Sequence, residues 1–363
     1  MRRMKSVSTR SEQTQSRRSC YPVKSAPVVV VVPSRCQALA RTLAGVSPTP
    51  DPLLDPRLFP PPSAGEALVA DYFFFLTALD HRTHTADRRY EAVVRGRSYR
   101  GSDLLYALAR RRQRDDPHAF TARRLLTISA AEAEAVWSPA EFGVRIKGAR
   151  VRAALLRDAA GRILREYGGS SLGLIEASRG RLLVGDGTGL LERLDRFRAY
   201  ADPLRKKSHL LAKLWERRGL LRVADPEHHD VAADTVLMRL ALRGGLVRIR
   251  AAALAGKLGG RGRVTPAQEH ALRAATLRAF RRVADAAGLS PAVLDDVLWA
   301  VGREACPRLG QPPDPDSLFP QFARWFPSRG AFRTFCLVVT GRDAAWQGRT
   351  ADLSEPRIET LYY

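Results

Sequence analysis

Lysine is scarce in this chain. Of 363 residues seven are Lys, against 53 Arg, a skew expected where drift replaces Lys by Arg wherever charge alone matters. Cysteine is scarce too: Cys20, Cys36, Cys306 and Cys336 lie far apart, with no C-x-x-C and no short His/Cys spacing. That excludes a zinc ribbon and a dense disulfide framework, and reduced intracellular thiols are the default. Long apolar runs are missing. The longest block, Ala67 to Leu79, is broken by Asp71 and falls short of the roughly 20 residues a bilayer requires. The chain has no P-loop, no G-x-S-x-G, no internal repeat and no strand–helix alternation, which disfavours a doubly wound sheet. Its GDGTG cluster at 185–189 lacks the preceding strand and downstream acid of a dinucleotide site.

What is abundant is Ala, Leu and Arg. With 45% hydrophobic and 27% charged residues, the composition is that of a soluble, mainly helical protein, and the expected fold class is all-α. The net charge is +23, which suits a polyanionic partner. Nine bases against one acid, Glu12, fall in the first fifty residues, so part of that charge belongs to the N-terminal segment. Residues 1–62, rich in Ser, Arg and Pro, are expected to lie outside the fold as a disordered arm or a transit-type leader. The odd Val28–Val32 run, fenced by Pro27 and Pro33, falls inside this stretch. One large domain is expected over 63–363.

Within that domain the stretch from Asp202 to Val247 organises the reading. Leu210, Leu211, Leu214 and Trp215 recur at helical spacing, as do Val236, Leu237, Leu240 and Ala241. Two helices facing each other across a polar turn are predicted, opened by Lys206–Lys207 and by Asp234. A carboxylate at a helix start is ordinarily an N-cap. Adjacent lysines that escaped the drift to Arg suit a point charge against a phosphate or carboxylate, a swap Arg does not accept freely; chance survival is the plainer account.

Elsewhere, GEALVADYFFFLTALDHRTH is apolar on nearly every side up to Asp80, which predicts a buried central helix with a polar tip of Asp80, His81, Arg82 and His84. YEAVVRGRSYRG reads as two short strands or a loop. A helix capped by Ser102 or Asp103 follows, then one with Ser129 and Glu132 in capping-box spacing. A Gly/Arg-rich linker leads from Gly245 to a helix over Pro266–Ala287, Ser290–Pro291 starts another, and Pro307–Asp343 reads as mostly loop.

Taken in order, DYFFFLTALDHRTH, YRGSDLLYALARR, FRAYADPLRKKSHLLAKLWERRG, ADTVLMRLALRGGLV, LDDVLWAVGR and the closing RIETLYY resemble the queuosine-salvage family of queuosine 5′-phosphate N-glycosylases, whose fold is similar to helical DNA glycosylases. The resemblance spans about 66 to 363. It implies a helical pocket that cleaves the N-glycosidic bond of a 7-deazaguanine nucleotide, releasing queuine for tRNA modification. Asp234 falls at the position of the catalytic aspartate. Lys206 and Lys207 would face the 5′-phosphate, Asp80 and His81 would lie near the base, and Arg239 and Trp299 would complete the substrate site. Thr235 departs from the aromatic residue or Asn the family carries after its aspartate. No metal or cofactor is implied: an iron–sulfur cluster takes four thiolates, and only Cys306 and Cys336 lie in the C-terminal part. The expected partner is a small-molecule nucleotide, without a membrane, in the cytoplasm. DNA base excision and non-catalytic nucleic-acid binding are the alternatives. Against base excision stand the absence of an L-P-G-x-G-like hairpin ahead of Asp234 and of an identifiable flipping wedge.

Overall fold

In a computed structural model of the chain, residues 28–49, 51–83, 89–260, 262–308, 310–346, 348 and 353–363 are described. Cys20 and His84 lie outside them. Among the described residues the folded body already includes Val28 and its neighbours, well before Ser63. Valines form strand β1 (Val29–Val31), which pairs antiparallel with Val247–Ile249. Pro33 then occupies the first turn of helix α1 (Pro33–Thr42), where its missing N–H costs nothing. Cys36, Leu39 and Ala40 are buried. Arg35 donates from Nε to Gly244 O at 2.9 Å and pairs with Asp343 at 2.8 Å. The expectation that 1–62 lies outside the fold is therefore corrected for residues 28–62. Polar composition averaged over the segment masked five β-branched residues and one apolar helix face; residues 1–27 lie outside the described ones.

Next comes α2 (Glu66–Leu79), buried from Val69 to Leu79 on every side as its sequence predicted. Phe74 stacks on Tyr200 at 5.3 Å and on Trp215 at 6.4 Å. Its one buried carboxylate, Asp71, accepts the Ser171 N–H at 2.6 Å and the Ser171 hydroxyl at 2.8 Å. Burial nevertheless pushes the Asp71 pKa up to about 6. Of the two readings of this stretch, two short strands or a loop, the strands form: β2 (Glu91–Val94) pairs antiparallel with β3 (Arg97–Arg100). Helix α3 (Ser102–Asp115) starts from Gly101, with no side-chain cap from Ser102 or Asp103. Then follow α4 (Ala122–Leu125), α5 (Ala130–Trp137) with the Ser129/Glu132 capping box, α6 (Ala149–Glu166), α7 (Ser171–Ser178), α8 (Leu190–Leu194) and α9 (Lys206–Arg217).

The remaining elements are α10 (Thr235–Arg243), β4 (Val247–Ile249), α11 (Ala252–Gly259), α12 (Pro266–Ala287), α13 (Pro291–Ala305), α14 (Pro315–Phe322) and α15 (Arg329–Val339). Fifteen α-helices and two two-stranded sheets are found among the described residues, so the fold is mainly helical, all-α in class. Two expectations change here. The segment after Pro307 is not mostly loop, because Pro315 opens α14 and Ser328 caps α15; those residues mark helix starts as well as turns. And α9 and α10 do not pack face to face. Leu211, Leu214 and Trp215 enter one hydrophobic core with α2, whereas Leu237, Leu240 and Ala241 enter a second with α1, α12, α13 and α15. A cavity opens along the seam between the two cores. No helix of the described residues is long and apolar enough to cross a membrane.

Because Leu39 is fully buried in the second core, Leu39→Ala should cost about 2–5 kcal/mol. A fragment beginning at Ser63, stripped of β1 and α1, should melt far below the full chain in differential scanning calorimetry. An unchanged melting temperature for that fragment would show that β1 and α1 contribute no stability.

Candidate functional site

A cavity of about 880 Å³ is lined from both sides of the seam, within the range usual for small-molecule sites. From the first core come the tip of α2 (Asp80, His81) and the outer turns of α9 (Lys206, Leu210, Lys213). From the second come the start of α10 (Asp234, Thr235, Arg239), one face of α13 (Asp295, Trp299, Arg303), and Glu355 and Arg357 of the C-terminal segment. Gly302 lets α13 lie tight on α10: a Cβ there would meet Val236 and Leu240 side chains at 2.8 Å.

Asp234 is the N-cap of α10. Its Oδ1 accepts the N–H groups of Val236 at 2.8 Å and Leu237 at 3.0 Å. Oδ2 has no hydrogen-bond partner among the described residues and belongs to a cavity-lining side chain. Burial raises the Asp234 pKa, and Lys206 opposes that rise. Lys206 donates to Asp80 Oδ2 at 3.1 Å, so Lys206, Asp80 and Asp234 form one charged group.

Lys207 does not belong to it. Its side chain is wholly buried, turned away from the cavity, with Nζ donating to Ala78 O at 2.7 Å. The phosphate role expected for Lys207 is corrected accordingly: one residue along a helix turns the side chain by roughly 100°. Arg239 lines the cavity, but its guanidinium is already engaged, with Cys306 O at 2.7 Å and Glu355 at 2.9 Å. Trp299 forms wall, with the Arg303 guanidinium 4.3 Å from its ring centre.

Sequence reasoning missed two features of the site. Lys213 pairs with Asp295, and Asp296 pairs with Lys213 and Arg217, stitching α9 to α13 across the seam. Paired acids in LDDVLW hinted at this, but spacing cannot say what faces them. Arg89, Arg324 and Arg357 also line the cavity and make no ion pair among the described residues. The Nε of Arg357 is buried without a partner. The GDGTG loop, by contrast, is filled from within: Glu192 accepts the N–H groups of Val184, Gly185 and Gly189 at 3.0–3.1 Å, consuming the donors a phosphate would need.

The segment leading to Asp234 is pinned by two buried histidines, His209 and His229, whose rings are tilted by 40° with centres 5.4 Å apart. His209 Nδ1 accepts the Asp230 N–H at 3.2 Å, and Arg281 pairs with Asp230 at 3.0 Å. No group of three or more potential metal ligands occurs among the described residues. Neither a known family model nor any curated protein gives a significant match to this chain.

Burial pushes His229 down to about 4 and His209 well below its ordinary value of 6.5. The unfolded chain therefore binds protons that the folded chain refuses as pH drops below that ordinary value. Stability from these two rings is complete above it and is lost as pH falls below it, for His229 toward about 4. Urea unfolding across that window should show a steep decline that His229→Gln flattens; parallel curves for the two proteins would exclude His229 as the source.

Proposed function

We propose that this protein is an N-glycosidase that hydrolyses a 7-deazaguanine nucleotide, queuosine 5′-phosphate, to free queuine. The observation that carries this reading is the divided carboxylate of Asp234: one oxygen caps α10, and the other is left for the cavity. Departure of the base leaves positive charge on the sugar, and a fixed anion in a partly dry site stabilises that charge. The same oxygen can orient the attacking water. The N–C1′ bond breaks, the water oxygen bonds to C1′, and the proton lost by water leaves with the base.

Three further features support the reading. The cavity volume suits a mononucleotide, Trp299 offers an aromatic wall, and Arg89, Arg324 and Arg357 supply positive charge without carboxylates of their own. The resemblance in the sequence is consistent with these features and names the substrate class. The phosphate is assigned chiefly to those arginines, with Lys206 nearer the sugar beside Asp234.

The decisive experiment is Asp234→Asn, assayed with queuosine 5′-monophosphate by release of free queuine. Asn caps a helix as well as Asp does, and removing a charge whose burial is unfavourable relieves strain, so the melting temperature should not fall. Turnover should drop by about 10² to 10³. An active Asp234→Asn protein would leave the residue a cap and nothing more. In the wild type, activity should fall on the acid side at a pH above the ordinary carboxylate range, because the required ionised form is lost through a raised pKa.

A companion variant, Arg357→Ala, should raise KM for the monophosphate about tenfold while barely changing the slower cleavage of the nucleoside. Equal loss on both substrates would mean that Arg357 is structural. Release of bases from duplex DNA, with steep salt dependence, would favour the base-excision reading instead.

A further inference from the structure

Resting on this reading of the cavity, we propose that His81 determines base specificity: Lys207 holds its ring as the neutral tautomer protonated on Nε2, so that it offers one fixed hydrogen-bond donor to a carbonyl acceptor on the bound base. The cause lies in the end of α2. The last carbonyls of a helix have no partners within it, and this helix ends inside the protein. Lys207 Nζ donates to Ala78 O at 2.7 Å, while Arg152 donates to Leu79 O and, at 2.5 Å, to His81 O. Two buried cations from α6 and α9 thus complete the helix and fix the backbone of the Asp80–His81 tip.

Lys207 Nζ also lies 3.3 Å from His81 Nδ1. As an ammonium Lys207 has only N–H groups to offer, one for the carbonyl and another for the ring, so Nδ1 accepts and the ring proton sits on Nε2. That nitrogen has no partner among the described residues, and the ring borders the cavity. A second proton on the ring is strongly opposed. Burial comes first, and Lys207, Arg152, Arg82 and Lys206 surround the imidazole with positive charge, holding its pKa well below the ordinary value. The one carboxylate at the tip, Asp80, is paired with Lys206.

A donor of fixed direction and no charge donates to a 6-carbonyl oxygen and rejects a 6-amino group, which would set donor against donor and leave both unpaired. The site should therefore prefer guanine-type over adenine-type bases without an ionised residue at that edge.

The tautomer can be read directly from nitrogen-15 spectra of the ligand-free full chain labelled in histidine, with the His81 signal assigned by its disappearance in His81→Gln. The expected spectrum is that of a neutral ring protonated on Nε2 between about pH 5 and 8. Protonation on Nδ1, or an imidazolium in that range, would overturn the proposal. Lys207→Met should let the proton exchange between the two nitrogens; an unchanged spectrum would remove Lys207 from the account. Should that variant not fold, the wild-type spectrum still decides.

Calorimetric binding of 7-deazaguanine and 7-deazaadenine supplies the second arm. The wild type should prefer the former by about tenfold or more, and His81→Phe should abolish the preference. Persistence of the preference in His81→Phe would refute the specificity role. If neither base binds the wild type, the nucleobase reading of the cavity fails and the specificity role fails with it, while the spectrum independently decides the tautomer lock.

Discussion

Asp202 and Arg273 form the ion pair on which the geometry of this protein turns. Both are almost wholly buried, and the guanidinium meets the carboxylate bidentately, at 2.8 and 2.5 Å. Breaking such a pair from one side strands a charge in the interior, at a cost of about 3–5 kcal/mol. Asp202 also accepts the Lys206 N–H at 2.9 Å, so it fixes the start of α9 and with it the directions of Lys206 and Lys207. Arg273, from α12, pairs with Glu269 at 2.9 Å and lies under the rings of Tyr362 and Tyr363. One interaction therefore joins the two cores and seats the C-terminal segment against the cavity.

The seam is held by charge where each core interior is held by apolar contact. Lys213 and Arg217 reach from α9 to Asp295 and Asp296 of α13, and Arg303 reaches back to Asp103 at 3.0 Å. A polar seam leaves room for a cavity in a way that interdigitated side chains do not, since interiors pack to crystal-like density. A few of the chain's arginines serve inside the protein. Arg35, Arg152, Arg239 and Arg273 are buried and bonded to carbonyls or carboxylates, which is structural use of the guanidinium fork rather than a field for a polyanion.

At Asp234 the cap uses one carboxylate oxygen and leaves the other over. A helix N-terminus already holds a carboxylate in one orientation, and a cap uses a single oxygen. The second oxygen is then directed without further cost. Burial, Lys206 and the backbone N–H groups act on its charge together, and they are set by three different elements.

Local order was legible in the sequence. The apolar period of α9 and α10, the all-round burial of α2, the Ser129 and Ser290 caps and the bounds of α12 follow from spacing that each segment carries within itself. So does the presence of Asp234 at a helix start. Partnership across the chain was decided only by the tertiary structure. That Lys206 faces the cavity while Lys207 faces the end of α2, that α9 and α10 serve different cores, and that Arg357 meets no carboxylate among the described residues all depend on residues 60 to 300 positions apart. The Val28–Val32 run makes the same point. Its β-propensity belongs to the sequence, but a three-residue strand is stable only against a partner, and that partner, Val247–Ile249, lies more than two hundred residues away.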